Sequence, residues 1–261
     1  MPFTLAHAAA GLPFRRWNLV WSAFFIGTFA PDLEYFVRLS DSNRDGHHFP
    51  GVITFTLPAA FVALWIFHRF VKRALVELGP EGLRRRLVPY MGEFRFGGRS
   101  RFSAILGSVL LGVSTHVTWD WFTHAHTWVY ERWAWLHETV DVPLVGPWSH
   151  SKVLQHASTL TGLVALAIWF VIWYRTAKPA PETYKPALNS ASRVAIALGM
   201  VALPCFAAIA LALLRGHLPG EFLHQRVLGR YFVILPISLL SVEVILYGLL
   251  FSQLQKSGPH F

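Results

Sequence analysis

The sequence has few charged residues and a single cysteine. Asp, Glu, Lys and Arg make up 14% of its 261 residues, well below the quarter or so that is usual in a soluble protein. Cys205 lies within an apolar run, so an intramolecular disulfide framework is excluded and the compartment has to be deduced from topology. Internal repeats and low-complexity tracts are lacking too. We therefore predict a single domain over residues 1–261.

The sequence is instead rich in long apolar runs. Hydrophobic residues make up 54% of the chain, and runs of about 18 or more apolar residues recur, each long enough to cross a bilayer. The 11 Trp and 7 Tyr residues suit the headgroup regions on both sides of a membrane. The net charge of +9 is not a nucleic-acid signal, because the basic residues cluster beside the apolar runs, where they set membrane orientation.

The pattern predicts an all-α polytopic membrane bundle of about six helices. Their expected ranges are residues 17–30, 51–67, 102–122, 158–174, 194–214 and 231–252. The first has only 14 residues and is preceded by Arg15 and Arg16, which resembles a signal peptide. Its helical pattern continues past residue 30, so we expect a short or tilted helix instead. Residues 1–175 form the motif-bearing part of the domain, and residues 176–261 form a C-terminal helical hairpin.

The most basic loop predicts the orientation. Residues 69–101 contain nine Lys or Arg and three Glu, and such loops stay on the cytoplasmic side. Both termini are then expected in the cytoplasm, and the C-terminal end of the third span is expected at the outer face.

Three polar residues lie near that end of the third span. His116, Asp120 and His124 are spaced i, i+4 and i+8, so on a helix they line one side. A His–Asp pair at i, i+4 can hold one metal ion. The i to i+8 rise of about 12 Å is too long for one ion, so using all three needs a second ion or a helix that ends near Thr123. We favour a site over a merely polar helix end, because such residues are costly in an apolar segment.

Other polar residues are expected at the same membrane level. Asp32 follows Pro31 in an apolar segment, His47 and His48 lie in an outer loop, and His156 stands just before the fourth span. His7 reaches this level if the N-terminal helix folds back along the first span. The alternative for Asp32 is a carboxylate at a helix interface, and for His47 and His48 it is a solvated loop. For His156 it is a helix cap, and for His7 a buried core histidine. A His and Asp set without Cys suits zinc, manganese or iron.

Three further candidates are weaker. Glu243 lies within the last span without an identifiable partner, and intramembrane carboxylates are often functional. His137 and Asp141, and likewise His217 and Glu221, are four residues apart, but Pro219 and Gly220 interrupt the second pair.

Several motifs resemble a bacterial membrane family, the domain of unknown function 4184. They are Pro2-Phe3-Thr4-Leu5-Ala6-His7, Ala30-Pro31-Asp32-Leu33-Glu34-Tyr35-Phe36, His116-x-x-x-Asp120-x-x-x-His124 and Leu154-Gln155-His156-x-Ser158-Thr159. The resemblance covers residues 2–174 and extends over the rest of the chain. His47-x-x-x-Gly51 matches the family's Ser-His-Ser motif with Gly46 and His48 in place of the serines, which favours His47 over His48.

The resemblance implies a metal-dependent enzyme. This family is similar to inner-membrane metal-dependent hydrolases and, more remotely, to zinc-dependent phospholipases C and single-strand zinc nucleases. Their ligand order implies His7, Asp32, His47, His116, Asp120 and His124 as metal ligands. His156 is added as a ligand, although Leu160 stands where those enzymes have the Glu of a His-x-x-x-Glu pair.

The resulting prediction is a hydrolase of phosphate esters, such as a lipid head group, in a bacterial cytoplasmic membrane. One or two zinc or manganese ions would be its cofactor, Asp32 and Asp120 its catalytic residues, and Arg38 or Lys152 a partner for phosphate. Membrane lipids are the expected partners, and nucleic acid is not. A metal or proton transporter, with ligands spread through the membrane depth, and a protein with a closed structural metal site are the alternatives.

Overall fold

The computed structural model describes residues 4–40, 46–47, 49–143, 146–181, 186–217 and 227–257. Over these residues the chain is almost entirely helical. Five helices are long and apolar enough to cross a membrane: α3 (Val52–Leu78), α5 (Arg99–Thr123), α8 (His150–Thr176), α9 (Ser190–Leu214) and α10, which begins as a π-helix over Leu228–Ile234 and continues as an α-helix over Leu235–Ser257. The predicted all-α polytopic bundle is therefore confirmed.

Shorter elements connect these five helices. The helical ones are a 3₁₀ helix at Thr4–Phe14, α1 (Trp21–Phe29), a 3₁₀ turn at Ala30–Asp32, α2 (Leu33–Arg38), α4 (Glu81–Leu87), a 3₁₀ turn at Val88–Tyr90, α6 (Trp128–Arg132) and α7 (Ala134–His137). An antiparallel hairpin of β1 (Thr139–Val142) and β2 (Gly146–Ser149) pairs Val140 with Trp148. The sequence had predicted only loop there.

The predicted first span is shorter in the structure than in the sequence. α1 has nine residues, about 14 Å at the rise of an α-helix, against a hydrocarbon core of about 30 Å. The preceding residues form a turn, in which the Trp17 N–H donates to the Phe14 carbonyl. α1 alone therefore cannot cross a membrane.

Helix α3 continues well past its predicted end. The sequence placed residues 68–78 in the cytoplasmic loop, but the helix runs on to Leu78. It ends where Gly79 and Pro80 interrupt the pattern, since Pro80 cannot continue the helical hydrogen bonding. Hydropathy falls where a helix leaves the membrane, but α3 continues past that point until Gly79 and Pro80 interrupt its hydrogen bonding.

The chain forms two compact units. The first comprises residues 1–33, 44–61 and 96–175, and the second residues 34–43, 62–95 and 176–261. In the second unit, Gly248 of α10 lies against the backbone of Phe70, with room for no more than a hydrogen at its Cα. The buried carboxylate of Glu77 accepts a hydrogen bond from the Leu188 N–H. The prediction of a single functional domain stays a prediction.

In the first unit, α1 packs closely on α5 through two glycines. A Cβ at Gly27 would collide with the backbone of Val109, and a Cβ at Gly112 would collide with the carbonyl of Phe24 and lie 2.9 Å from the Thr28 nitrogen. Small residues let membrane helices approach to backbone contact in this way. The contact holds the last turn of α1 beside the C-terminal half of α5, where the site forms.

Candidate metal centre

Four side chains of the first unit converge on one point. Asp32 follows α1 in the 3₁₀ turn, His47 lies in the loop before α3, and His116 and Asp120 lie one turn apart near the end of α5. Each offers one ligand atom, and these four atoms lie within 4.8 Å of one another. Asp32, His116 and Asp120 are buried, and His47 is partly buried. The predicted i, i+4 pair therefore meets two residues from distant parts of the sequence.

The spacing of these atoms matches a metal coordination sphere. His47 Nε2 lies 3.0 Å from both His116 Nε2 and Asp120 Oδ2. His116 Nε2 lies 3.3 Å from Asp120 Oδ2 and 3.5 Å from Asp32 Oδ1, and His47 Nε2 lies 3.6 Å from Asp32 Oδ1. Four ligands at about 2.0–2.2 Å from a tetrahedral ion would be separated by about 3.3–3.6 Å. The group could hold a metal ion with little movement.

A backbone carbonyl fixes the orientation of His116. Its Nδ1 lies 2.7 Å from the Thr28 carbonyl oxygen, so Nδ1 donates and Nε2 presents its lone pair to the cluster. The Thr28 carbonyl is three residues before Pro31, which has no N–H to donate to it in the 3₁₀ turn. A second hydrogen bond of this kind is typical of metal-binding histidines, because it selects the tautomer and holds the ring.

A hydroxyl group orients Asp32 in the same manner. The Thr4 hydroxyl donates to Asp32 Oδ2 at 2.6 Å, and both groups are buried. The other oxygen, Oδ1, is left facing His47 and His116. Thr4 begins the 3₁₀ helix, and Gly11 near its end lies against Phe24 of α1. This helix therefore runs back along α1, as was needed to bring His7 to the site.

Asp120 joins these residues to two further histidines. Its Oδ1 lies 3.5 Å from His7 Nε2 and 3.5 Å from His124 Nδ1. The His7 ring also stacks on His116, with centroids 3.9 Å apart. α5 ends at Thr123, and His124 has an extended backbone, so the side chain turns back toward Asp120. His124 was expected to join the site through a second ion or through a helix that ends near Thr123, and the structure shows such a helix end.

Several polar atoms of the cluster are buried without a hydrogen bond. Among the described residues, Asp32 Oδ1, Asp120 Oδ1, His7 Nε2 and His124 Nε2 have no such partner. Each would cost about 1–3 kcal/mol, and more where the group is charged. The two Nε2 atoms of His47 and His116 face each other at 3.0 Å, so only one of them can carry a proton there. A divalent cation among the four converging ligand atoms would satisfy Asp32 Oδ1 and would accept the lone pairs of both of these histidines.

The two flanking histidines are held in the form that binds metals. Burial lowers the pKa of His7 to about 4, because desolvation disfavours the charged imidazolium. Burial also lowers the pKa of His124. Both rings are therefore neutral at physiological pH, and metal binding requires neutral imidazole.

The other predicted residues lie elsewhere. His156 lies on the second turn of α8, whereas the sequence placed it before this helix. It is exposed and packs its ring on Trp148, with ring centroids 4.6 Å apart. It is not among the converging residues. Arg38 pairs with Glu34. Lys152 lies over the Trp148 ring. His48 and Glu221 lie outside the described residues.

The sequence did not identify the two groups that orient the ligands. Thr4 lies 28 residues from Asp32, and the Thr28 acceptor is a backbone carbonyl. Pro31 was the one available signal for the Thr28 carbonyl, because a proline has no N–H and leaves an earlier carbonyl without its helical hydrogen bond.

Comparisons with known proteins give a family but not an activity. Neither a curated protein nor a solved structure matches the chain. The sequence profile described as "Domain of unknown function (DUF4184)" matches residues 1–249. The chain therefore belongs to the DUF4184 family, as its motifs predicted.

Proposed function

We propose that this protein is a metal-dependent hydrolase of phosphate esters in the bacterial cytoplasmic membrane. The observation that carries the proposal is the convergence of His47, His116, Asp32 and Asp120 at the spacing of a coordination sphere. Such a set of nitrogen and oxygen ligands suits zinc or manganese. The relatives implied by the sequence motifs use His and Asp ligands for the same chemistry.

The cluster has an open side, which an enzyme needs. The His116 side chain is 0% exposed, but those of His47 and His124 are 18% and 26% exposed. With His7 and His124 the cluster has six side chains, more than the four ligands that a closed structural site requires. All of them lie at one place, whereas a transporter is expected to have ligands through the membrane depth. These features support a catalytic centre over either alternative.

The chain's own residues would supply binding and proton transfer. Bound zinc or manganese would lower the pKa of a bound water and draw charge from a phosphoryl oxygen. His47, His116, Asp32 and Asp120 would hold one ion, and His7 and His124 would extend the site on the other side of Asp120. Asp32, held by Thr4 through Oδ2, would bind the ion through Oδ1 and, as the catalytic base, would release that oxygen to accept a proton.

Orientation and partners follow from the charge distribution. The basic residues of 69–101 would place that segment and both termini in the cytoplasm. The end of α5 and the metal centre would then lie at the outer face. Lipids of that leaflet would be the nearest source of phosphate esters.

The test compares two Asp→Asn variants of the full chain in detergent. Asp120→Asn removes a charged ligand, whereas Asp141→Asn changes an exposed residue of β1. Metal content by elemental analysis and phosphate release from a panel of lipid and alkyl phosphates would be measured with and without a chelator. We expect wild type and Asp141→Asn to retain zinc or manganese and chelator-sensitive turnover, and Asp120→Asn to lose both.

Two results would contradict this proposal. Equal metal content in wild type and Asp120→Asn would remove the site itself. Retained metal without phosphate release from any ester would leave a structural centre, or a transporter if ion flux appeared in reconstituted vesicles.

A further inference from the structure

A pocket of about 220 Å³ lies beside the metal centre. The 3₁₀ helix forms one wall, with three alanines and His7, and helices α5 and α8 form the others. Gly162 of α8 lies close to the 3₁₀ helix, since a Cβ there would be 2.9 Å from the Ala6 carbonyl oxygen. The pocket lies entirely within the first unit.

His7 connects this pocket to the metal centre. Its ring forms part of the pocket wall, stacks on His116, and places Nε2 at 3.5 Å from Asp120 Oδ1. A molecule in the pocket would therefore be one imidazole ring away from the ligand atoms. Pocket and centre therefore adjoin each other and share the His7 ring as a common wall.

The hydroxyl groups that line the pocket are already hydrogen-bonded. Thr115 donates to the Gly112 carbonyl at 2.8 Å, Thr161 donates to the Ala157 carbonyl at 2.9 Å, and Ser158 donates to the Gln155 carbonyl at 3.1 Å. The Trp119 indole N–H donates to the Ser158 hydroxyl at 3.1 Å. These groups leave mainly methyl and methylene surface for an occupant, despite their polar side chains.

The open side of the pocket lies between two membrane-spanning helices. Trp119 of α5 and Thr161 of α8 line it and are exposed, whereas His7 is buried. Next to Thr161, Leu160 is 66% exposed, as is usual where a helix faces lipid. An occupant would therefore enter from the bilayer and reach His7 at the far end.

We propose that this pocket binds the hydrocarbon of a long-chain alkyl or polyprenyl phosphate whose phosphate lies at the metal centre. The inference rests on the proposed function and specifies its substrate class. The volume is below the roughly 300–1,000 Å³ of drug-sized sites, which suits a slender chain. In such a phosphate the hydrocarbon begins directly at the ester oxygen. A glycerophospholipid would instead place polar ester groups beside the phosphate, where the hydroxyl and indole donors of the lining are already used and burial is costly.

The activity test uses dodecyl phosphate and ethyl phosphate, which share the same ester group. Thr161→Phe fills the mouth of the pocket, and Leu160→Phe adds a similar ring at the neighbouring exposed position outside it. We expect Thr161→Phe to lower kcat/KM for dodecyl phosphate by about tenfold or more, in the range by which apolar pockets discriminate. Its turnover of ethyl phosphate and its metal content should equal those of wild type, and Leu160→Phe should match wild type throughout.

A binding test gives a readout that does not depend on turnover. A dodecyl phosphate with a diazirine midway along its chain would be photolysed with the metal-loaded protein, and labelled peptides would be identified by mass spectrometry. Label on the 3₁₀ helix around Ala9 and on α8 around Thr161, lost in Thr161→Phe, supports the proposal. Label elsewhere, or equal loss of both activities in a Thr161→Phe protein that keeps its metal, would overturn it. If wild type hydrolyses neither ester but is labelled in the pocket, the proposed function fails and the hydrocarbon site stands.

Discussion

Replacement of Thr4 by valine should weaken metal binding without removing any ligand. Valine has nearly the shape of threonine but cannot donate a hydrogen bond. At 2.6 Å the bond from Thr4 to Asp32 Oδ2 is in the range of strong hydroxyl–carboxylate bonds. A hydrogen bond to a charged group contributes about 1.5–3 kcal/mol, and each 1.4 kcal/mol or so is a factor of ten in affinity.

The expected rise in the dissociation constant is therefore about 10- to 100-fold, as for other residues that orient metal ligands. The cause is that a freed Asp32 carboxylate must be ordered again whenever the ion binds. A competition titration of the metal-free protein against a chromophoric zinc chelator would measure the change. Thr54→Val is the control, because the Thr54 hydroxyl is exposed and donates to the Pro50 carbonyl just before α3.

Equal affinity in Thr4→Val and wild type would contradict a role of Thr4 in orienting Asp32. Such a result would mean that Asp32 is held by packing alone or does not bind the ion. A lower affinity in both threonine variants would instead point to a general loss of stability.

Three more predictions concern packing, the ion and the topology. Gly112→Ala should lower the free energy of unfolding by about 1–3 kcal/mol through overpacking, because its Cβ would collide with α1. Gly107→Ala on the same helix is the control, since a Cβ there meets nothing within 4 Å. Thermal unfolding in detergent measures both variants, and equal melting temperatures would count against the α1–α5 contact. Chelation should lower the wild-type melting temperature, because an ion that binds only the folded state stabilises it; an unchanged temperature would oppose a bound ion. In a Cys205→Ser background, an impermeant thiol reagent on intact cells should label a cysteine at Glu138 and not one at Arg85, and the reverse would invert the topology.

The part of the site encoded by local spacing could be predicted from the sequence. His116 and Asp120 are one helical turn apart, so any helix over α5 places them on one side. The approach of His7 was expected only as one alternative, since it depends on where a short N-terminal helix packs. Nothing local encodes that packing: it results from the contact of Gly11 with Phe24, 13 positions along the chain.

Element boundaries were predicted less well, for a physical reason. Hydropathy reports which residues prefer a bilayer, and α3 continues for 11 residues beyond its predicted end at Phe67, up to Leu78. The strands β1 and β2 have four residues each and none of them is buried, so they were too short and too little buried to be distinguished from a loop. His156 was placed before a helix for the same reason, because the polar first turns of α8 lack an apolar signal.

The distribution of the ligands along the chain has a consequence for how the protein is made. His47 and His116, whose nitrogens are neighbours in the folded protein, are 69 residues apart in sequence. Asp32 and His47 thus leave the ribosome well before their partners on α5. Until α5 has entered the membrane, the Asp32 carboxylate lacks its neighbour His116, and an unpaired carboxylate in an apolar environment is costly. Capture of an ion by all four residues would therefore have to wait until α5, the second of the five long helices, has been delivered.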